Sequence, residues 1–97
     1  MNQFALAGRV LELSDVKETS SGIDVMHVKL CVDKIKDDEK TFEVYDIALF
    51  RQLAQTKLEK GQCIGITGKM VANNVEKEGN TYYNCSLIGT NISLLEN

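Results

Sequence analysis

The sequence predicts an all-β protein: a small five-stranded barrel with one short helix between its third and fourth strands. Three observations carry this expectation. Side chains alternate with a period of two, setting Tyr45, Ile47 and Leu49 against Phe42, Val44, Asp46, Ala48 and Phe50. Glycines sit inside strand-like runs at Gly8, Gly65 and Gly68, and one run slips its phase; a sharply curved sheet needs such interruptions. Finally, the stretch from Arg51 to Lys60 repeats its apolar residues at helical spacing.

Taken in order, Phe4 to Leu13 reads as a first strand, with Gly8 marking a bulge or bend. Ser14 to Gly22 is polar and reads as a turn or loop. Ile23 to Val32 is a second strand. Its phase moves from Ile23 and Val25 to Val28, Leu30 and Val32, which suggests a bulge near His27. His27 has no visible catalytic partner and reads as a partly buried strand or interface histidine. Asp33 to Lys40 is a charged loop, with neither the glycine nor the glutamate spacing of a calcium loop. Thr41 to Phe50 is the third strand. Phe50, Leu53, Ala54 and Leu58 then give the helix, stopped by Gly61. Gln62 to Val75 is a fourth strand, Glu76 to Asn80 a hairpin loop, and Thr81 to Leu95 a fifth strand interrupted near Gly89 and Thr90. One helix inserted between strands three and four of a five-stranded barrel is the pattern of an OB-fold.

Composition narrows the function. A chain of 97 residues fills one domain, expected to span 1–97, with a single modest core. The net charge of −3 argues mildly against nucleic acid, but affinity follows a local basic track and not the total. Cys31, Cys63 and Cys85 are odd in number and widely spaced, which fits reduced thiols in a cytoplasmic protein better than a disulfide framework. One histidine cannot complete a zinc site, and Gly68-Lys69 lacks the spacing of a phosphate loop. No nucleophile-base pair appears, so neither an enzyme nor a cofactor is expected. No run approaches the length of a membrane span, and the N-terminus lacks the charged region of a signal peptide.

The ordered motifs resemble the bacterial single-stranded DNA-binding proteins over nearly the whole chain. The opening NQFALAGRV is similar to that family's first strand, Ser21-Gly22-Ile23 to its next turn, and Val28-Lys29-Leu30-Cys31-Val32 to its second strand. Ile47-Ala48-Leu49-Phe50 with Arg51-Gln52-Leu53-Ala54, then Lys60-Gly61 and Gly65-Ile66-Thr67-Gly68-Lys69, follow in matching order. The resemblance implies an OB-fold that forms a homo-oligomer, a tetramer or dimer, through its first strand. It also implies sequence-tolerant binding of single-stranded DNA, without chemistry, in replication, repair, recombination or plasmid and phage DNA processing.

Stacked bases and a basic phosphate track would supply that binding. Phe42, Val44, Phe50 and Arg51 are the first candidates. Arg9, Lys34, Lys36, Lys69, Val75 and Tyr82 join them on other segments. The departures also matter. Familiar members carry tryptophans where this chain has Val44, Val75 and the Ile35/Lys36 region, and this chain has no tryptophan. Asp46 shares the face of Phe50 and would repel phosphate. Such relatives also end in a flexible tail with an acidic tip, whereas this sequence ends at Leu94-Leu95-Glu96-Asn97. These departures keep an alternative open: an assembly factor resembling primosomal replication protein N, with replication proteins as its main partners.

Overall fold

The computed structural model describes residues 1–95. Glu96 and Asn97, the end of the expected 1–97 domain, lie outside them. Six strands follow in order: β1 (Phe4–Leu13), β2 (Lys17–Glu18), β3 (Asp24–Lys36), β4 (Glu39–Phe50), β5 (Cys63–Lys77) and β6 (Asn80–Leu94). They form one sheet in the order β1-β5-β6-β4-β3-β2, and β1 also pairs with β3. That last pairing closes β1, β3, β4, β6 and β5 into the expected five-stranded barrel. The two-residue β2 hangs on the edge of β3, in the stretch expected to be loop.

Alternation fills the barrel. Val28 and Leu30 of β3, Ile47 and Leu49 of β4, and Ile64 and Ile66 of β5 point inward and are essentially solvent-free, with Val10 of β1 beside them. Each fully buried side chain of this size contributes about 1.5–3 kcal/mol. Closure needs local bends, and they come from extra residues. Leu11 is unpaired between Val10↔Leu30 and Glu12↔Lys29, and Thr90 between Thr67↔Asn91 and Gly68↔Gly89. The interruption expected near Gly89 and Thr90 is therefore a bulge. The one expected near His27 is not in β3, which pairs with β4 without a break; the extra residue belongs to the facing β1. Gly8 likewise stays in unbroken register, opposite Ile64.

Two further expectations are corrected. Between β4 and β5 lies one 3₁₀ turn, Arg51–Gln55, and not a helix reaching Lys60. Ala54 is buried, and Leu53 and Leu58 pack against the core. A single tight turn already sets residues i and i+3 on one side. Leu58 then reaches the core from irregular chain, so the helical spacing had a shorter cause. The charged stretch Asp33–Lys40 is no loop: β3 and β4 stay paired out to Lys36↔Glu39. Only Asp37 and Asp38 form the turn, with φ of 52° and 65°. Glu78 and Gly79 close the β5–β6 hairpin in the same way, at 53° and 79°. Positive φ at both central residues marks the two-residue hairpin turn whose twist matches its strands. Both hairpins thus run past the barrel as two-stranded arms, exposed on both faces.

Candidate nucleic-acid interface

The arms define the site. β4 and β6 run parallel and pair only at Ile47↔Leu87 and Ala48↔Ile88. Next to this short junction lies an open groove of about 540 Å³. His27 of β3 and Asp46, Ala48 and Phe50 of β4 make its floor. Val71 and Asn73 of β5, with Cys85, Ser86, Leu87 and Ile88 of β6, make its wall. The floor is the outward face of the strand whose inward face supplies Ile47 and Leu49 to the core. Phe50 is half-buried there, and Val44 and Phe42 continue the same face outward at 44% and 64% exposure.

The wall follows the same logic. Lys69, Val71, Asn73, Val75 and Lys77 alternate onto one face of β5, opposite Ile88, Ser86, Asn84, Tyr82 and Asn80 of β6. Lys69, Val75 and Tyr82 therefore share the face of the groove-lining Val71 and Asn73. This wall face holds Lys69 and Lys77 and no carboxylate. Asn73 Nδ2 donates to Ser86 Oγ at 3.1 Å, tying the two strands within the groove.

The other expected residues are placed differently. Lys34 and Lys36 alternate onto the far face of the β3–β4 arm, away from Phe42 and Val44. Lys34 Nζ stands 3.3 Å from Glu43 Oε2, and the Tyr45 hydroxyl donates to Glu43 Oε1 at 2.8 Å. The Tyr45 bond first, and the Lys34 ammonium second, hold the Glu43 carboxyl below its ordinary value. The same bond pushes the Tyr45 phenol up. Arg9 lies between Cys31 and Cys63 in register and lines a separate concavity with Ala7, Gly8 and Asp33. Arg51 follows Phe50 at a φ of 59° and turns the chain from β4 into the 3₁₀ turn.

Sequence reasoning missed His27 as a groove residue. Its Nδ1 lies 3.1 Å from Asp46 Oδ1, and both side chains are about half-exposed, at 53% and 56%. These two residues are 19 positions apart and meet only because β3 and β4 pair Lys29 with Asp46 and His27 with Ala48. It also missed Lys77, which reads as a loop lysine until β5 is seen to extend through it. Among the described residues no group of three or more His, Cys, Asp or Glu side chains gathers as a metal site.

A closed OB-type barrel with two projecting hairpins beside an open, partly apolar groove defines a class of small binding modules. The match to known sequences is more specific: the chain belongs to the single-strand binding protein family, whose model covers residues 1–95. Over 103 aligned residues, 99% of this chain, it is 28% identical to Single-stranded DNA-binding protein 1 of Staphylococcus aureus strain Mu50. It spans 66% of that relative's length. It is 30% identical over 83 residues to Single-stranded DNA-binding protein B of Bacillus subtilis strain 168, covering 79% of this chain and 74% of that one. In fold it is similar to the Plasmodium falciparum SSB solved in complex with ssDNA. The TM-score is 0.76 over 99% of this chain and 96% of that chain, at 18% identity.

Proposed function

We propose that the chain binds single-stranded DNA in the groove between its two arms, without strong sequence preference and without catalysing a reaction. The observation that carries this is the groove itself. Phe50, Val44 and Phe42 give one side an apolar and aromatic face, and Lys69 and Lys77 give the other a basic track free of carboxylates. Each stacked base contributes roughly 1–3 kcal/mol, and each phosphate met by a lysine adds a salt-dependent increment. The relatives' names, and the neighbour solved with ssDNA, support the same reading. Fluorescence titration with a dT oligonucleotide at low and high salt tests it. Saturable binding that weakens with salt is expected, and no binding at low salt overturns it.

The same reading places the protein on DNA in the cytoplasm, serving replication, repair, recombination or plasmid and phage DNA processing. No helix among the described residues is long and apolar enough to cross a membrane. Homo-oligomerisation, as a dimer or tetramer, belongs to the proposal as well. Leu11, Val16, Leu94 and Leu95 expose apolar surface that a second copy would cover. A second reading, an assembly factor working through replication proteins, is favoured by one observation: the Asp46 carboxylate stands in the groove floor. Pull-down with replication proteins separates the two.

A further inference from the structure

We propose that His27 and Asp46 form a base-edge reader in the groove floor, one that favours cytosine and guanine over thymine and uracil. This rests on the single-stranded DNA reading above. Asp46 lies between Val44 and Ala48 on the outward face of β4, and so between two stretches of apolar surface. Its Oδ1 is 3.1 Å from His27 Nδ1. A carboxylate only accepts, so Nδ1 carries the hydrogen of this bond, and in the neutral imidazole Nε2 is left with a lone pair. Two acceptors of the pair are then left for a ligand, the second carboxylate oxygen and Nε2, on side chains that line the groove.

What surrounds the pair decides which part of a nucleotide meets it. Ala48, Phe50, Val71, Leu87 and Ile88 are apolar, and the wall's Asn73 and Ser86 are bonded to each other. A phosphate is disfavoured against Asp46, because the two like charges repel. The cations of the groove have other places or partners. Lys69 and Lys77 are on the wall face, and Lys29, next to the pair, stands 3.5 Å from Glu12 Oε2. Phosphates therefore follow the wall and the bases point into the floor. There the pair meets a base edge. Cytosine offers its N4 amino group, a usual partner of a carboxylate, and guanine offers adjacent N1–H and N2–H donors for the two free acceptors. Thymine and uracil offer a single N3–H flanked by two carbonyl oxygens, which an acceptor pair repels.

The test compares dC and dU oligomers of about 12 nucleotides, within the reach of one such barrel. These two pyrimidines share ring size and weak self-stacking. Fluorescence anisotropy is expected to show the unaltered protein binding dC about fivefold more tightly, the worth of one net hydrogen bond. That ratio holds from low to high salt, because the phosphate contribution cancels. Asp46→Ala brings the ratio to one and raises dU affinity, since the repulsion has gone. Phe50→Ala weakens both oligomers and leaves the ratio. Equal affinities in the unaltered protein, or a preference that survives Asp46→Ala, overturn the base-edge reader while leaving the proposed function standing. Binding of neither oligomer overturns both.

Discussion

The two arms share a construction and differ in charge. Each is an antiparallel ribbon closed by a two-residue turn with positive φ. On the β5–β6 arm the only strand carboxylate beyond the barrel, Glu76, alternates onto the far face, leaving Lys69 and Lys77 unopposed toward the groove. On the β3–β4 arm the groove face is mixed, with Asp33 and Asp46 beside Lys29, Lys40, Phe42 and Val44, while Lys34 and Lys36 point the other way. In the proposed binding mode the β5–β6 arm meets phosphates and the β3–β4 arm meets base faces and edges. The chain's −3 net charge conceals this division, because register and not composition decides which charges share a face.

The largest expected effect comes from misplacing the basic arm at its root. Gly68 is the last buried residue of β5 before its exposed part, beside the Thr90 bulge. A Cβ there would overlap the Ile88 carbonyl oxygen and stand 2.8 Å from Phe4 Cε2 and 2.9 Å from Gly89 Cα. Backbone cannot yield as a flexible side chain can. Gly68→Ala is expected to cost about 3 kcal/mol of stability, read as a lower urea midpoint at an unchanged slope. A midpoint like that of the unaltered protein would show that the arm's root is not fixed by this contact.

Next in size is the aromatic side of the comparison. Phe50→Ala removes the half-buried ring at the groove floor and is expected to weaken binding of a dT oligomer about 10-fold or more. Circular dichroism checks that the barrel is retained. Phe42→Ala, at the exposed tip of the same face, is expected to weaken it less. A larger loss at Phe42 would move the main stacking platform from the groove to the arm.

How much of this was legible in the sequence follows from which residues have a buried neighbour. Tyr45, Ile47 and Leu49 declared their face because one side of β4 is in the core, and alternation is visible wherever burial is one-sided. Beyond Val32 and Met70 both faces of each arm are exposed, so no alternation is imposed. Asp33 to Lys40 then has the composition of a loop while folding as a ribbon. Asp37 and Asp38 reinforced that impression, since an Asp pair is a less familiar turn signal than Asn-Gly or Asp-Gly. The His27–Asp46 pair was invisible for another reason: it depends on a cross-strand register that no local window contains.

The third effect separates the lysines of the two arms. Lys69 lies on the wall face, whereas Lys34 faces away and is engaged with Glu43. Lys69→Ala is expected to weaken DNA binding two- to fourfold and to reduce the slope of log affinity against log salt by about 0.7, the value for one phosphate contact on a single strand. Lys34→Ala is expected to leave both nearly unchanged. If the two variants lower the slope equally, the division of labour between the arms is wrong and DNA wraps both faces of the β3–β4 ribbon.

The smallest effect probes what shapes the far face of that ribbon. Glu43 titrates below its ordinary value of 4.5 because the Tyr45 hydroxyl, then Lys34, favour the carboxylate. Its contribution to stability is therefore present above that ordinary value and is lost as pH falls through the lower value it has when folded. Tyr45 shows the opposite edge. Its pKa is raised above 10.0 by the bond to Glu43, so its contribution is present below 10.0 and is lost as pH rises through the raised value. Both groups are at the surface, and the energetic consequence is small and screened by salt. The sensitive measurement is the carboxyl carbon shift of Glu43 followed by NMR against pH. In the unaltered protein its midpoint is expected below 4.5, and Tyr45→Phe is expected to move it upward more than Lys34→Ala does. The reverse order would make the Lys34 ammonium the main partner of Glu43. It would also predict that Tyr45→Phe leaves the acid side of the stability profile unchanged, which denaturation across that pH range would read directly.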